Sequence, residues 1–325
     1  SIVALNPTTG ETLAMVSLPS FDPNLFSFGI SQKDWDNISG DKNYPLVNRA
    51  VKGHIPGSTF KPFTAAAALE EGIITPDTIV EEAKNREWLP SSDWGDLPIR
   101  RVDHPAGDVN LRNALVWSDN IYFAWTGLKL GAEKLEEYST KYGLGDSMPF
   151  ALAVDKSQVK GEATSWNDRL VADTAYGQGE ILIPPIQLAA MFTGFFNNGN
   201  ILTPRLIREI RSPSGETLEP FETKIWKNGA MTEETVNTIL PFLIDVVEDK
   251  TGTAHSLNIP DLKIGAKTGT AQLGKDKEEE LAWLVAFTVD VENPLLVTIC
   301  LEVSAGEGKD KFDVAKSIFK EYYGK

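Results

Sequence analysis

The sequence predicts an α/β (α+β) fold in which both ends of the chain supply strands to one antiparallel sheet sandwiched by helices. Three observations lead there. Strand-like apolar runs stand at the start, SIVAL and TLAMVSL, and again near the end, LKIGAKTGTAQL, LAWLVAFTVD and PLLVTICLEV. Helical patterns fill the stretch between them. No βαβ rhythm is visible, which points away from a parallel sheet. With 325 residues, 42% of them hydrophobic, the chain can bury a large core. No internal repeat or low-complexity linker divides it, so one domain, 1–325, is expected.

The elements follow in order. NPTTGE turns the opening hairpin, with Gly10 supplying the turn. Residues 19–50 are turn-rich. IPGSTFKPFTAAAALEEG, Ile55 to Gly72, reads as a buried helix with Ser58 as N-cap, Ala65 to Ala68 as strong helix formers and Gly72 as the C′ stop. Pro62 falls in the first turn, where few internal bonds are lost. An irregular segment, 75–108, holds Trp88 and Trp94. Helices are expected at Asn110–Val116, Ile121–Leu130 and Ala132–Tyr142, the last closed by Gly143. A polar loop runs to Asp168. AYGQGEILIPPIQLAAMFTGFFNNGN then reads as a glycine turn, a helix and a glycine stop. Residues 201–226 form a hairpin turned at SPSGE. The next helix opens on Thr232 as N-cap, with Glu233 and Glu234 in its first turn, and ends at Gly252. KDKEEE, Lys275 to Glu280, is expected to be a solvated hairpin loop. An amphipathic helix, KDKFDVAKSIFKEYY, closes the chain.

Composition excludes several function classes. A net charge of −15 and a pI near 4.7 argue against nucleic acid or an anionic membrane surface as partner. Cys300 has no cysteine to pair with and sits in an apolar run. His54, His104 and His255 lack ligand spacing, so no metal is expected. No Gly-rich phosphate loop is present, and no cofactor is expected. No run has the length and apolarity of a membrane-spanning helix or signal peptide. A chain that opens directly on a strand pattern is expected to be an excised domain without its targeting segment.

Chemistry enters with Ser58 and Lys61. At i and i+3 on one helix face, they place an amine within reach of a hydroxyl, the arrangement that activates a serine nucleophile. Ser-x-x-Lys occurs four times, at Ser39/Lys42, Ser58/Lys61, Ser157/Lys160 and Ser317/Lys320. Only Ser58 stands at a turn-to-helix junction before an apolar helix. Ser39 falls in a polar loop, Ser157 in a polar stretch and Ser317 on the closing helix. Ser118-Asp119-Asn120 interrupts two apolar helical stretches. It reads as an N-cap turn, rigid enough to aim side chains. KTGTA occurs twice. The copy at Lys250–Ala254 reads as a helix end, with Lys250 as last-turn cation and Gly252 as C′. The copy at Lys267–Ala271 continues a strand of small residues, Gly265, Ala266, Gly269 and Ala271. Such a strand edge, with bare N–H groups beside a lysine, suits an extended peptide carboxylate.

Ser-x-x-Lys, Ser-Asp-Asn and Lys-Thr-Gly, in this order and in these contexts, form the set shared by penicillin-binding proteins and class A β-lactamases. Further stretches extend the match: NPTTGETLAMVSLPSFDPN, NRAVKGHIPGSTFKP, AYGQGEILIPPIQLA, NNGNILTPRL and AKTGTAQ. Over essentially its whole length the chain resembles the transpeptidase domain of class B penicillin-binding proteins. SDWGDLPIRR and WSDNIYFA look closest to the low-affinity, resistance-associated proteins of Gram-positive bacteria.

The resemblance implies a three-layer sandwich with a five-stranded antiparallel sheet between an all-helical lobe and a smaller α/β lobe, the serine β-lactamase-like fold. It implies a peptidoglycan D,D-transpeptidase whose Ser58 is acylated by stem peptides ending in D-Ala-D-Ala and by β-lactam antibiotics. By resemblance, Lys61 is the base, Ser118 relays the proton and Asn120 holds the substrate amide. Thr268 and Thr270 grip the terminal carboxylate, and the Ser58 and Thr270 N–H groups form the oxyanion hole beside Gly269. To act as base, Lys61 must lose roughly 3 pH units of basicity, worth about 4 kcal/mol. Burial and a nearby cation both push that way, Lys267 being the expected cation, and Asp119 is expected to be structural. The family also implies an extracytoplasmic site on the cell membrane, an N-terminal anchor and cell-wall or divisome partners. A serine β-lactamase, a D,D-carboxypeptidase and a non-catalytic β-lactam sensor are the competing readings. EATSWND, Glu162 to Asp168, lacks the Glu-x-x-Leu-Asn spacing of a class A deacylation loop, and Asn120 disfavours the sensor.

Overall fold

A computed structural model describes residues 1–91, 94–101, 104–105, 107–273 and 278–325. Strands β1 (Ile2–Leu5) and β2 (Thr12–Val16) form the opening hairpin around Gly10, whose φ of +79° suits glycine. The turn-rich stretch contains α1 (Gln32–Ser39). Ser39 is therefore the last residue of a helix rather than part of a loop, and its hydroxyl donates to the Trp35 carbonyl at 2.7 Å.

The segment around Ser58 departs from expectation in detail. Gly57–Phe60 is one turn of 3₁₀ helix, and α2 (Lys61–Glu70) begins only after it, with Phe60 at its N-cap. Ser58 is thus an interior residue of the 3₁₀ turn and caps nothing. Pro62 in the first turn favours this late start, because it offers no N–H. Lys61 through Ala68 are all buried, and the four alanines let neighbouring helices approach closely.

Short pairings occupy the irregular segment, β3 (Glu87–Trp88) with β4 (Ile99–Arg100). Helices α3 (Leu111–Val116), α4 (Asn120–Leu130) and α5 (Ala132–Lys141) follow near their expected bounds. Next come α6 (Asp168–Ala175) and α7 (Pro185–Phe192). The 201–226 hairpin is two nested ones: β5 (Ile201–Leu202) pairs with β8 (Ile225–Lys227), and β6 (Ile210–Arg211) with β7 (Thr217–Glu219). Helix α8 (Glu233–Glu248) is capped by Thr232 as predicted but stops at Glu248, so Lys250 and Gly252 belong to the following turn. That turn is held by Asp249, which accepts from the Thr251 N–H and hydroxyl.

Three long strands, β9 (Lys263–Leu273), β10 (Glu279–Val289) and β11 (Leu296–Ser304), precede the final helix α9 (Asp310–Tyr323). The sheet is antiparallel in the order β2-β1-β11-β10-β9, so the two chain ends share it. Of the loop predicted at 275–280, positions 275–277 lie outside the described residues, while Glu279 and Glu280 are already strand. Strand β10 is covered on both faces, which explains its nearly unbroken apolar run. Trp283, Val285 and Phe287 face the larger core shared with α2 and α7. Leu284 and Ala286 face the smaller core under Ala315 and Phe319 of α9. Phe63 of α2 centres an aromatic cluster, with ring centroids of Tyr142 and Phe192 both at 5.3 Å.

Glycine sets how tightly the segments meet. A Cβ at Gly177 would lie 1.8 Å from the Gly57 carbonyl oxygen, and the φ of Gly177 is +84°. At Gly269 a Cβ would come within 2.9 Å of the Pro56 carbonyl. The sequence left room along this strand for another chain. What fills it at Gly269 is the molecule's own turn before Ser58, and at Gly265 the Phe287 ring. Gly177→Ala should lower stability by about 3 kcal/mol or more, as steric conflict adds to backbone strain. The urea midpoint reads this directly; an unchanged midpoint would show that the turn moves freely.

Candidate active site

Segments distant in sequence line one cleft of about 870 Å³, among them Ser58, Ser118, Asn120, Thr253, Thr268, Gly269 and Thr270. Each arrives by a distinct device. Ser58 rides the 3₁₀ turn, whose approach is pinned to the sheet by the Trp283 indole donating to the Ile55 carbonyl at 2.9 Å. Ser118 sits between α3 and α4 with φ +59°, a left-handed conformation costly for a side chain-bearing residue. Asp119, next to it, is the N-cap of α4, its Oδ1 accepting from the Tyr122 N–H at 2.6 Å. Its other oxygen meets His104 Nε2 at 2.9 Å, and the imidazole stacks on Trp117. The expected structural role for Asp119 is the one its contacts describe. β9 is one of the sheet's two edge strands, so Lys267 to Thr270 sit on an edge whose outward backbone groups have no strand neighbour among the described residues.

The amines organise the centre. Lys61 Nζ donates to the Ser118 carbonyl at 2.6 Å, to Ser118 Oγ at 3.3 Å and to Asn120 Oδ1 at 2.7 Å. Lys267 Nζ reaches the same Ser118 Oγ at 2.8 Å and the Thr268 carbonyl at 3.2 Å. One hydroxyl therefore stands between two buried amines. Burial is the main cause that lowers Lys61 from 10.5 to about 7, with Asp119 opposing. Burial also takes Lys267 well below the ordinary amine value, followed by repulsion from Lys61 and then Lys311. The sequence predicts two causes for the shift at Lys61, burial and the neighbouring Lys267 cation. Desolvation is the larger cause there, and the repulsion between the two amines is expressed at Lys267.

Among the described residues the Ser58 hydroxyl has no hydrogen-bond partner, so Oγ is uncommitted beside the cleft. Asn120 spends one N–H on the Arg100 carbonyl at 2.9 Å, which leaves its second N–H and a lone pair of Oδ1. The Thr268 hydroxyl donates to Thr253 Oγ1 at 2.9 Å. The structure thus brings Ser58, Lys61, Ser118, Asn120, Lys267, Thr268, Gly269 and Thr270 together.

Other groups on the cleft were missed. Thr253 belongs to the first KTGTA copy, which reads locally as a helix end but folds back so that its N–H donates to the Val116 carbonyl at 3.2 Å. Gln178 donates to the Thr270 carbonyl at 3.0 Å. It belongs to the AYGQGE turn, whose glycines signalled a tight bend and not a wall of the site. Arg169, Asp173 and Tyr176 form the flank, Asp173 accepting from Arg169 at 2.8 Å and from the Tyr176 hydroxyl. Lys311 and Phe312, at the start of α9, close the far side. No periodicity marks Lys311 as buried; only the packing of α9 shows it. The other Ser-x-x-Lys serines, Ser39, Ser157 and Ser317, are not on the cleft lining. Among the described residues no cluster of His, Cys, Asp and Glu could hold a metal ion. Cys300 is buried and its thiol is pushed up to about 12 by desolvation, as suits an inert core residue.

The penicillin-binding protein transpeptidase domain model matches residues 1–324. The chain is 36% identical to penicillin-binding protein 3 of Bacillus subtilis over 320 residues, 97% of this chain and 46% of that protein. It is 30% identical to the peptidoglycan D,D-transpeptidase MrdA of Haemophilus influenzae over 352 residues, 99% of this chain and 52% of that one. The chain thus spans about half the length of the curated relatives it matches. Among solved structures, the penicillin G acyl-enzyme complex of penicillin-binding protein A from M. tuberculosis superposes with a TM-score of 0.81 at 26% identity. That match covers 97% of this chain and 73% of the other. Its ceftriaxone acyl-enzyme complex gives 0.80 at 28% identity, covering 92% and 67%.

Proposed function

The chain belongs to the penicillin-binding protein transpeptidase family, and from that premise we propose that it is a peptidoglycan D,D-transpeptidase working through a Ser58 acyl-enzyme. The observation that carries the reading is the single Ser118 hydroxyl held by two buried amines next to an uncommitted Ser58.

In the proposed cycle, neutral Lys61 takes the Ser58 proton as Oγ attacks the carbonyl of the penultimate D-Ala. The oxyanion forms against the N–H groups of Ser58 and Thr270, where each donor is worth about 10²–10³ in rate. The proton passes from Lys61 through Ser118 to the leaving D-Ala nitrogen, and the C–N bond breaks to give an ester on Ser58. Lys267 holds Ser118 in place for that relay. Asn120 orients Lys61 and the donor amide, and Thr268 and Thr270 bind the donor carboxylate beside Gly269. The amine of a second stem then attacks the ester, forming the cross-link and returning the proton to Ser58. β-Lactams follow the first half of this path and stay attached. No cofactor has a part in it.

We further propose that the protein works on the extracytoplasmic face of the cell membrane, anchored by a segment N-terminal to 1–325, with cell-wall or divisome proteins as partners; its likeness to cell-wall transpeptidases supports this reading. Among the described residues no helix is long and apolar enough to cross a membrane. Glu162, the nearest sequence analogue of a deacylating base, is not on the cleft lining, which favours a long-lived acyl-enzyme over β-lactamase turnover.

Benzylpenicillin should leave one adduct, mapped by peptide mass spectrometry to the tryptic fragment containing Ser58 and stable for hours. Sustained nitrocefin hydrolysis on the order of 10 s⁻¹, a typical enzyme turnover, would overturn the transpeptidase reading in favour of a β-lactamase.

A further inference from the structure

A third buried amine opens on the cleft and the cycle above does not use it. Lys311, in the first turn of α9, is 6% exposed, and its Nζ makes one long hydrogen bond, 3.3 Å, to the Gly269 carbonyl. An ammonium has three protons to donate, and one without partners is expensive to bury. Among the described residues no carboxylate forms an ion pair with it. Its remaining donors belong to a group that lines the cleft alongside Thr268, Gly269 and Thr270.

We propose that Lys311 is the cationic binding residue for the free carboxylate of the acyl donor and sets the preference for donors that carry one. The inference rests on the function proposed above and adds a residue that the three motifs do not contain. Lys267 is less suited to this task. Its Nζ is engaged by Ser118 Oγ and the Thr268 carbonyl, and it is fully buried.

Charge supports the assignment. Burial lowers Lys311 to about 8, with Glu280 opposing, so at neutral pH most molecules keep the ammonium. A ligand carboxylate next to it would hold the proton more firmly still. Arg100 and Arg169 also line the cleft but pair with Glu87 and Asp173, so among the described residues Lys311 is the lining cation without an ion pair. The carboxylate would receive the Thr268 and Thr270 hydroxyls and the Lys311 ammonium, and the ammonium would gain a charged partner beside the Gly269 carbonyl and the Phe312 ring, whose centroid lies 5.5 Å away.

The test compares two acyl donors that differ only in charge, benzylpenicillin and its methyl ester, by second-order acylation rate at pH 7. Lys311→Met keeps the length and apolar stem of the side chain, and Lys311→Arg keeps the charge. Losing a hydrogen bond to a charged partner should slow acylation of Lys311→Met by the free acid about 10- to 100-fold. The loss should come through weaker binding, with the saturating rate retained. The ester should react with wild type and variant within about threefold, which also shows that the variant is folded, and Lys311→Arg should recover part of the preference for the acid. Equal losses for acid and ester, or no loss for either, would overturn the role of Lys311 and leave the Ser58 reading standing. A wild-type protein with no Ser58 adduct from benzylpenicillin would overturn the function beneath it, and this assignment with it.

Discussion

Ser58→Ala is expected to abolish covalent labelling by a fluorescent penicillin, to below about 10⁻⁴ of the wild-type rate, since no other group replaces a lost nucleophile. The same substitution should leave stability within about 0.5 kcal/mol. Among the described residues the Ser58 hydroxyl has no hydrogen bond to lose, and the residue caps no helix. Measuring both separates a chemical role from a folding defect. Persistent labelling of a stably folded Ser58→Ala protein would remove Ser58 as nucleophile.

Lys61→Met should lower the acylation rate by about 10²–10⁴, the span of general-base contributions. Its pH dependence is the sharper measurement. The proposed base is the neutral amine, so wild-type acylation should rise with pH through about 7, where buried Lys61 loses its proton. The Met variant should lack that limb.

Stability carries the matching signature with a definite sign. Lys61 titrates near 7 in the fold and near 10.5 when unfolded, so between these values the unfolded chain holds the extra proton. Stability from this group therefore increases as pH rises from about 7 to 10.5, by up to about 1.4 kcal/mol per pH unit. Below 7 its full cost is present. Urea midpoints of wild type relative to Lys61→Met should accordingly diverge in favour of wild type as the medium becomes alkaline. A parallel pair of curves would mean that Lys61 is not a depressed amine.

The three motifs that meet at the cleft were legible because each depends on local chemistry. A Pro-Gly turn before an apolar helix distinguished Ser58 from three other Ser-x-x-Lys serines, and a cap-rich interruption marked Ser118 to Asn120. The sheet was legible because its strands are long and apolar, and because the chain lacks a parallel rhythm. What stayed hidden depends on contacts between distant residues. Thr253 looks like the end of a helix until the turn after α8 folds back on Val116 and Thr268. Lys311 looks like a surface residue of an amphipathic helix until α9 is laid against the sheet. The start of α2 was misplaced because Ser58 has the composition of a cap, whereas Gly57 and Pro62 favour a 3₁₀ turn first.

One of the two edge strands of the sheet, β9, carries Lys267 to Thr270. A guest peptide laid along it would be a temporary structural member, hydrogen-bonded to the sheet for as long as it stays. Docking and local stiffening would then be a single event. Any ligand too short or too bent to run beside the strand would forgo that reinforcement, however well it filled the rest of the groove.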